Sequence, residues 1–145
     1  MLPEFRQCVA ADREWAYALK AEAYREVVER QFGPWNEAFQ RELFATRWMP
    51  DKSKIILIGG QAVGLFVLRE SDEELWLDEL QLVREWRGRG LGSRILRDLL
   101  TRARAAHKPL RLQVLRQNHR AAALYLRLGF KVIAGTDTHL RMECR

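Results

Sequence analysis

A glycine-rich segment in the middle of the chain has the composition of an anion-binding turn. It joins a strand-like run to a helix-like one, and its residues are Arg87, Gly88, Arg89, Gly90, Leu91 and Gly92. Backbone N–H groups at a helix start lack partners and lie at the positive end of the helix dipole, and glycines let a phosphate approach the backbone closely. The two arginines add positive charge. The residue types alone are equally compatible with a flexible turn whose arginines are solvated.

Two familiar phosphate-binding motifs do not fit this segment. The P-loop requires a Gly-Lys-Ser/Thr ending, which this segment lacks. The dinucleotide-binding fingerprint needs a third glycine where this chain has Ser93. The segment therefore indicates an anion site of another kind.

A second set of spaced residues lies farther along the chain and changes how the first is interpreted. Its members are Asn118, Ala121, Leu124 and Tyr125, followed by Gly129 and Phe130. In their order and spacing the two segments resemble the GNAT superfamily, the acyl-CoA-dependent N-acyltransferases, whose signature Gln/Arg-x-x-Gly-x-Gly/Ala lies between the fourth strand and the third helix. The resemblance covers about residues 75–132. The N-terminal half matches only in its pattern of elements, and Arg84 stands where the family often has a proline.

The resemblance implies acetyl-CoA as the cosubstrate that donates the acyl group. The glycine-rich segment, with Ser93, would bind the pyrophosphate. The edge of the predicted strand at residues 80–83 would pair with the pantetheine arm. A backbone N–H there, that of Leu80 or a neighbour, would polarise the thioester carbonyl. Asn118 would contact the arm and is also a good N-cap for the helix that follows. The remaining residues implied on the donor side are Gln81, Leu82, Val83, Ala121, Leu124 and Tyr125.

Acyl transfer also needs an acid for the leaving thiolate and an amine that has lost its proton. Tyr125 is the preferred acid, because a phenol with a pKa near ~10 is protonated at neutral pH. Its neighbours are leucines, so a core position is the alternative. Glu79 is the first choice as base, followed by Asp78 and then Glu74. A solvated or salt-bridged Glu79 is equally compatible with the sequence.

The acceptor amine is expected between the first two helices and the late strands. Tyr24, Trp35, Glu79 and His139 are candidate acceptor-binding residues, although each of them more often packs or covers a surface. The predicted function is transfer of an acetyl group to a primary amine of a small molecule or peptide, by direct attack in a ternary complex. The alternatives are an acyl-CoA-binding sensor without transferase activity and a basic nucleic-acid-binding module.

The elements that would position these residues follow the order β-αα-βββ-α-β-α-ββ. This order predicts a single α/β domain over residues 1–145, with a mixed sheet of about seven strands and about four helices. Strands are predicted over residues 5–10, 55–58, 62–68, 75–83, 110–115, 130–134 and 139–144. Asp12 is predicted as the N-cap of a first helix that runs to about Arg30, and further helices are predicted over 35–48, 91–106 and 120–128. In the fourth strand the apolar positions change parity between Leu77 and Leu80, which predicts a β-bulge near Asp78 and Glu79.

Composition and charge exclude several classes of protein. The chain has 145 residues, of which 48% are hydrophobic and 30% charged, a globular balance rather than a disordered one. Its net charge of +6 is scattered along the chain, which argues against a nucleic-acid partner. No apolar stretch is long enough to span a bilayer and no secretory signal is visible, so a cytoplasmic location without a membrane partner is expected.

Cysteines and histidines give no sign of a metal site. Cys8 and Cys144 lie near opposite ends, and two free thiols are a simpler interpretation than one disulfide. The three histidines are scattered, so no metal is predicted. A homodimer would be compatible with the resemblance.

Overall fold

The strands form a mixed sheet whose spatial order differs from their order in the chain. The structure, a computed structural model, describes residues 2–145. Its strands are β1 (Glu4–Gln7), β2 (Ser53–Ile58), β3 (Gln61–Glu70), β4 (Leu75–Leu82), β5 (Leu110–Leu115), β6 (Lys131–Gly135) and β7 (His139–Cys144). They lie in the order β1-β2-β3-β4-β5-β7-β6. β4 and β5 are parallel, whereas β1–β2, β2–β3, β5–β7 and β6–β7 are antiparallel. The predicted mixed seven-stranded α/β fold is confirmed.

Four α-helices complete the predicted order of elements. They are α1 (Arg13–Phe32), α2 (Glu37–Arg47), α3 (Leu91–Ala105) and α4 (His119–Arg127). α2 begins two residues later than predicted, because the Asn36 side chain accepts a hydrogen bond from the Phe39 N–H at 2.9 Å and caps the helix there. Asp12 precedes α1 as predicted, but its carboxylate accepts from the Val9 N–H and from Arg6 instead of capping α1.

The chain divides into two compact units. The first contains the residues up to Val67 together with Glu79–Trp86. Its core is apolar and joins β1, α1, β2 and β3 through the buried residues Cys8, Ala16, Leu19, Ile55, Leu65 and Val67. Burial raises the pKa of the Cys8 thiol to about 11.

The second unit contains Leu68–Asp78 and Arg87–Arg145. Its core includes the buried apolar residues of α3, which recur every three to four positions: Leu91, Ile95, Leu96, Leu99, Leu100 and Ala103. The β4–β5 register pairs Leu75–Leu77 with Leu110–Leu112. The bulge near Asp78 and Glu79 stays a prediction, and the single-domain organisation does as well.

Cys8 and Cys144 are buried free thiols, as expected. Within residues 2–145, the structure shows no group of three or more His, Cys, Asp or Glu side chains placed to hold a metal ion. None of the helices described is both long enough and apolar enough to cross a membrane.

Candidate active site

The glycine-rich segment forms an open turn at the start of α3, in the second unit. Gly88 has φ +72° and Gly90 has φ +84°, a left-handed backbone that favours glycine. The Arg94 N–H donates to the Gly90 carbonyl at 3.0 Å. The N–H groups of residues 91–93 therefore belong to the first turn, where a helix offers no partner of its own. A Cβ added at Gly88 or Gly90 would meet nothing within 4 Å, so the turn is open on the side those atoms would occupy.

The residues around this turn differ in exposure. Leu91 is buried and anchors the start of α3, whereas Ser93 is half-buried. Arg87 is half-buried, Arg89 is exposed, and both interact with other parts of the chain. The predicted turn between a strand and a helix is therefore present, with N–H groups and positive charge on one short segment.

The second motif lies on α4, also in the second unit. The Asn118 side chain accepts from the Ala121 N–H at 3.3 Å, so the predicted N-cap is confirmed. Gly129 follows the helix with φ +99°, as a residue at C′ should. The half-buried Tyr125 ring lies 5.6 Å from the ring of buried Phe130, tilted by 57°. Ala121 and Leu124 are also half-buried, so this side of α4 is only partly covered.

The end of β4 belongs to the first unit. Its backbone N–H and carbonyl groups alternate between the two edges of the strand. The Val83 N–H donates to the Val63 carbonyl at 2.9 Å, and the Gln81 carbonyl lies beside Gly64, so these residues face β3. Because successive residues of a regular strand direct their N–H groups to opposite edges, we expect the Leu80 N–H to point away from β3. This is the direction that the role predicted for Leu80 needs.

Gly64 lies in β3, outside both sequence motifs. A Cβ at this position would lie 2.6 Å from the Gln81 carbonyl oxygen and 2.7 Å from Leu82 Cδ2. Only glycine allows β3 to approach the end of β4 so closely. A glycine inside the apolar run of β3 was the available signal.

Glu79, the preferred base, is held between two donors in the first unit. Its Oε1 accepts from Lys20 Nζ at 2.8 Å, and its Oε2 accepts from the amide of buried Gln81. The Lys20 and Glu79 side chains are each 23% exposed, so this ion pair is partly shielded from water. Lys20 was missed because it lies on α1, far from Glu79 in sequence. The salt-bridged alternative for Glu79 describes this geometry, and the role as base stays a prediction.

The two other candidate bases are bound to arginines in the second unit. Asp78 pairs with Arg69 through two hydrogen bonds of 2.6 and 2.8 Å. Glu74 accepts from Arg111 at 2.9 Å. Each of these carboxylates is therefore held by an arginine, and its role as a base stays a prediction.

Helices α1 and α2 meet at Glu37, a residue that no sequence motif indicates. Its carboxylate accepts from the hydroxyl of buried Tyr17 and from the Trp35 indole N–H, the latter at 3.2 Å. Arg41 lies 4.3 Å above the Tyr17 ring. Burial, followed by the nearby Glu37 carboxylate, raises the pKa of Tyr17 to about 12.

The four candidate acceptor residues fall into different units. Tyr24, Trp35 and Glu79 belong to the first unit, where each is half-buried. His139 belongs to the second unit and begins β7. Its Nδ1 forms a hydrogen bond of 2.8 Å with the Thr138 hydroxyl. Their role in acceptor binding stays a prediction.

The sequence model of the acetyltransferase (GNAT) family matches residues 20–130. This chain belongs to that family. The acyltransferase class and the acetyl-CoA cosubstrate predicted from the sequence are confirmed at the level of the family. A search among curated proteins gives no significant match.

Solved structures of this family share the fold over nearly the whole chain. PaiA N-acetyltransferase from Thermoplasma acidophilum, in complex with coenzyme A, is 18% identical with a TM-score of 0.78, over 100% of this chain and 99% of that one. The ribosomal-protein-S18-alanine N-acetyltransferase from Escherichia coli is 20% identical with a TM-score of 0.69, over 98% and 92%. Arabidopsis thaliana Naa50, in complex with the bisubstrate analogue CoA-Ac-MVNAL, is 14% identical with a TM-score of 0.68, over 100% and 99%. At these identities the likeness shows the fold alone.

Proposed function

We propose that this protein is an N-acetyltransferase that moves the acetyl group of acetyl-CoA to a primary amine of a small molecule or peptide, by direct attack in a ternary complex. The observation that carries the proposal is the open, glycine-rich turn at the start of α3, in a chain of the GNAT family. By their names, one relative of similar fold acts on an alanine of a ribosomal protein, and another is bound to a peptide bisubstrate analogue. Both names favour an amine acceptor.

The binding of acetyl-CoA is assigned mainly to backbone groups rather than to side chains. The first N–H groups of α3 would bind the pyrophosphate, where helix dipole and charge favour an anion. Gly88 and Gly90 would let the phosphates approach, since no Cβ stands in front of them. Arg87 and Arg89 would add positive charge. Leu80–Val83 would pair with the pantetheine arm as an additional strand would.

Carbonyl polarisation is assigned to the Leu80 N–H, which we expect to point away from β3. In the reaction, the amine nitrogen attacks the thioester carbon, the C–N bond forms, and the C–S bond breaks. Charge develops on the carbonyl oxygen in the transition state, and a fixed N–H group stabilises it there. Gly64 supports this role indirectly, because it allows the close packing that fixes the end of β4.

Two protons must move. Glu79 would take the proton that the amine loses, directly or through a water, and Tyr125 would give a proton to the leaving thiolate. Lys20 and Gln81 fix the Glu79 carboxylate by one hydrogen bond to each oxygen. The Tyr125 ring packs on Phe130, which orients the phenol.

Tyr125→Phe tests the proposed acid. The variant keeps the ring against Phe130 and removes only the hydroxyl, so we expect a melting temperature close to that of the wild type. We expect turnover to fall by about 10²–10⁴, the usual contribution of a positioned acid or base. The assay measures thiol release from acetyl-CoA with a panel of small amines and peptides. Unchanged turnover in the variant would remove Tyr125 from the mechanism.

The same assay separates the alternatives. Acetyl-CoA binding without thiol release for any amine would favour an acyl-CoA sensor. Binding of DNA or RNA that weakens with salt, without acetyl-CoA binding, would favour the nucleic-acid module. A cytoplasmic location and a homodimer stay predictions.

A further inference from the structure

Lys20 is a primary amine that the fold places directly on the proposed base. Its Nζ lies 2.8 Å from Glu79 Oε1, within the range at which a base can take a proton from the group it contacts. The chain has five lysines. Lys54 bonds to Gln7 and Lys108 to Glu70, which have no part in the proposed mechanism.

The position of Lys20 also suits attack on the thioester. Glu79 precedes Leu80, whose N–H is assigned to the thioester carbonyl, and neighbouring residues of a strand are only about 3.3 Å apart along it. The Lys20 side chain is 23% exposed, so it is neither sealed in the core nor free in solvent. An amine of the chain itself thus occupies the place where an acceptor amine would meet Glu79.

We propose that Lys20 is a self-acetylation site: with acetyl-CoA bound and no acceptor present, the protein transfers the acetyl group to Lys20 Nζ. The inference rests on the proposed function. The Lys20 ammonium gives one proton to Glu79, and its nitrogen attacks the thioester carbon. The C–N bond forms, the C–S bond breaks, the second amine proton is released, and Tyr125 protonates the thiolate. The products are acetylated Lys20 and coenzyme A.

Acetylation would change the acceptor side of the protein. It removes the positive charge of Lys20 and with it the ion pair to Glu79. External amines compete with Lys20 for the same carboxylate, so an effective acceptor should slow the modification of Lys20.

The experiment incubates the purified full chain with acetyl-CoA alone and maps acetyl-lysine by mass spectrometry. Trypsin cuts after Lys20 unless this residue is acetylated, so modification yields an uncut peptide of residues 14–25 that carries one acetyl group. We expect Lys20 to be acetylated roughly tenfold or more faster than Lys54, and Tyr125→Phe to remove that advantage. Lys20→Arg should abolish the product, whereas the matched control Lys54→Arg should leave it unchanged. Melting curves check that each variant is folded.

Three outcomes would overturn the inference. Lys20 is acetylated no faster than Lys54; or its acetylation is equally fast in Tyr125→Phe, which indicates chemical acetylation; or it is equally fast in urea-unfolded protein. If any of these occurs while external amines still release thiol from acetyl-CoA, self-acetylation fails and the proposed function stands. If neither acetyl-CoA binding nor thiol release is found, the proposed function itself fails.

Discussion

Two glycines with nearly the same positive φ offer a controlled test of the acetyl-CoA site. Gly90, at the start of α3, has φ +84°, and Gly60, in the β2–β3 turn, has φ +81°. A Cβ at either position would meet nothing within 4 Å. Gly90→Ala and Gly60→Ala should therefore cause similar strain from the positive φ and no collision. Only Gly90 belongs to the proposed pyrophosphate site.

The size of both effects can be worked out beforehand. A residue with a Cβ in the left-handed region costs about 1–2 kcal/mol. The unfolding entropy of a chain of this length is about 0.3 kcal/mol per kelvin, so each variant should melt about 3–7 °C lower. In Gly90→Ala the new methyl group would also displace the phosphates, and each lost hydrogen bond to a charged group costs about 1.5–3 kcal/mol. The Kd for acetyl-CoA should rise roughly 10- to 100-fold.

The assay is a melting curve of each protein at an acetyl-CoA concentration about one hundred times the wild-type Kd. Wild type and Gly60→Ala should each gain about 2.7 kcal/mol, whereas Gly90→Ala should gain only about 0.4–1.4 kcal/mol. Equal stabilisation of the two variants by acetyl-CoA would refute the assignment of this turn to the pyrophosphate.

Two further predictions concern packing and thiol chemistry. Gly64→Ala should lower the free energy of unfolding by about 1–3 kcal/mol, because its methyl group overlaps the Gln81 carbonyl and Leu82. Urea unfolding measures this change. A loss below about 0.5 kcal/mol would contradict the packing described for the end of β4. Burial raises the pKa of Cys8 from 9.0 to about 11. Between pH 7 and 8 its thiolate fraction should be about one hundredth of that in the unfolded chain, and its alkylation by iodoacetamide correspondingly slow. Peptide mapping separates Cys8 from Cys144, and equal rates in the folded and urea-unfolded protein would contradict the burial.

The sequence predicts the elements of this fold well because their signals are local. Large apolar residues of α3 recur every three to four positions, and Ile95, Leu96, Leu99 and Leu100 are all buried. Asn118 caps α4 because a side-chain oxygen can reach an N–H three residues later. Helix starts are harder to predict. The sequence is compatible with a start at Trp35, but the Asn36 cap makes α2 begin at Glu37.

The arrangement around Glu79 could not be predicted because its parts are distant in sequence. Lys20 precedes Glu79 by 59 residues, and no local pattern indicates that a lysine of α1 pairs with a carboxylate of β4. Glu37 likewise joins Tyr17, 20 residues earlier, only after α1 and α2 pack together. Long-range ion pairs depend on tertiary packing, whereas turns and caps depend on neighbouring residues.

Thermal stability with and without acetyl-CoA tests the central claim most directly, with ATP and NAD as controls. A ligand that binds only the folded state raises the midpoint, by roughly 2.7 kcal/mol of stability at a hundredfold excess over its Kd. We predict a clear rise with acetyl-CoA and little or none with ATP or NAD. No rise with acetyl-CoA, together with stabilisation by ATP, NAD or DNA, would contradict the assignment of this chain as an acetyl-CoA-dependent transferase.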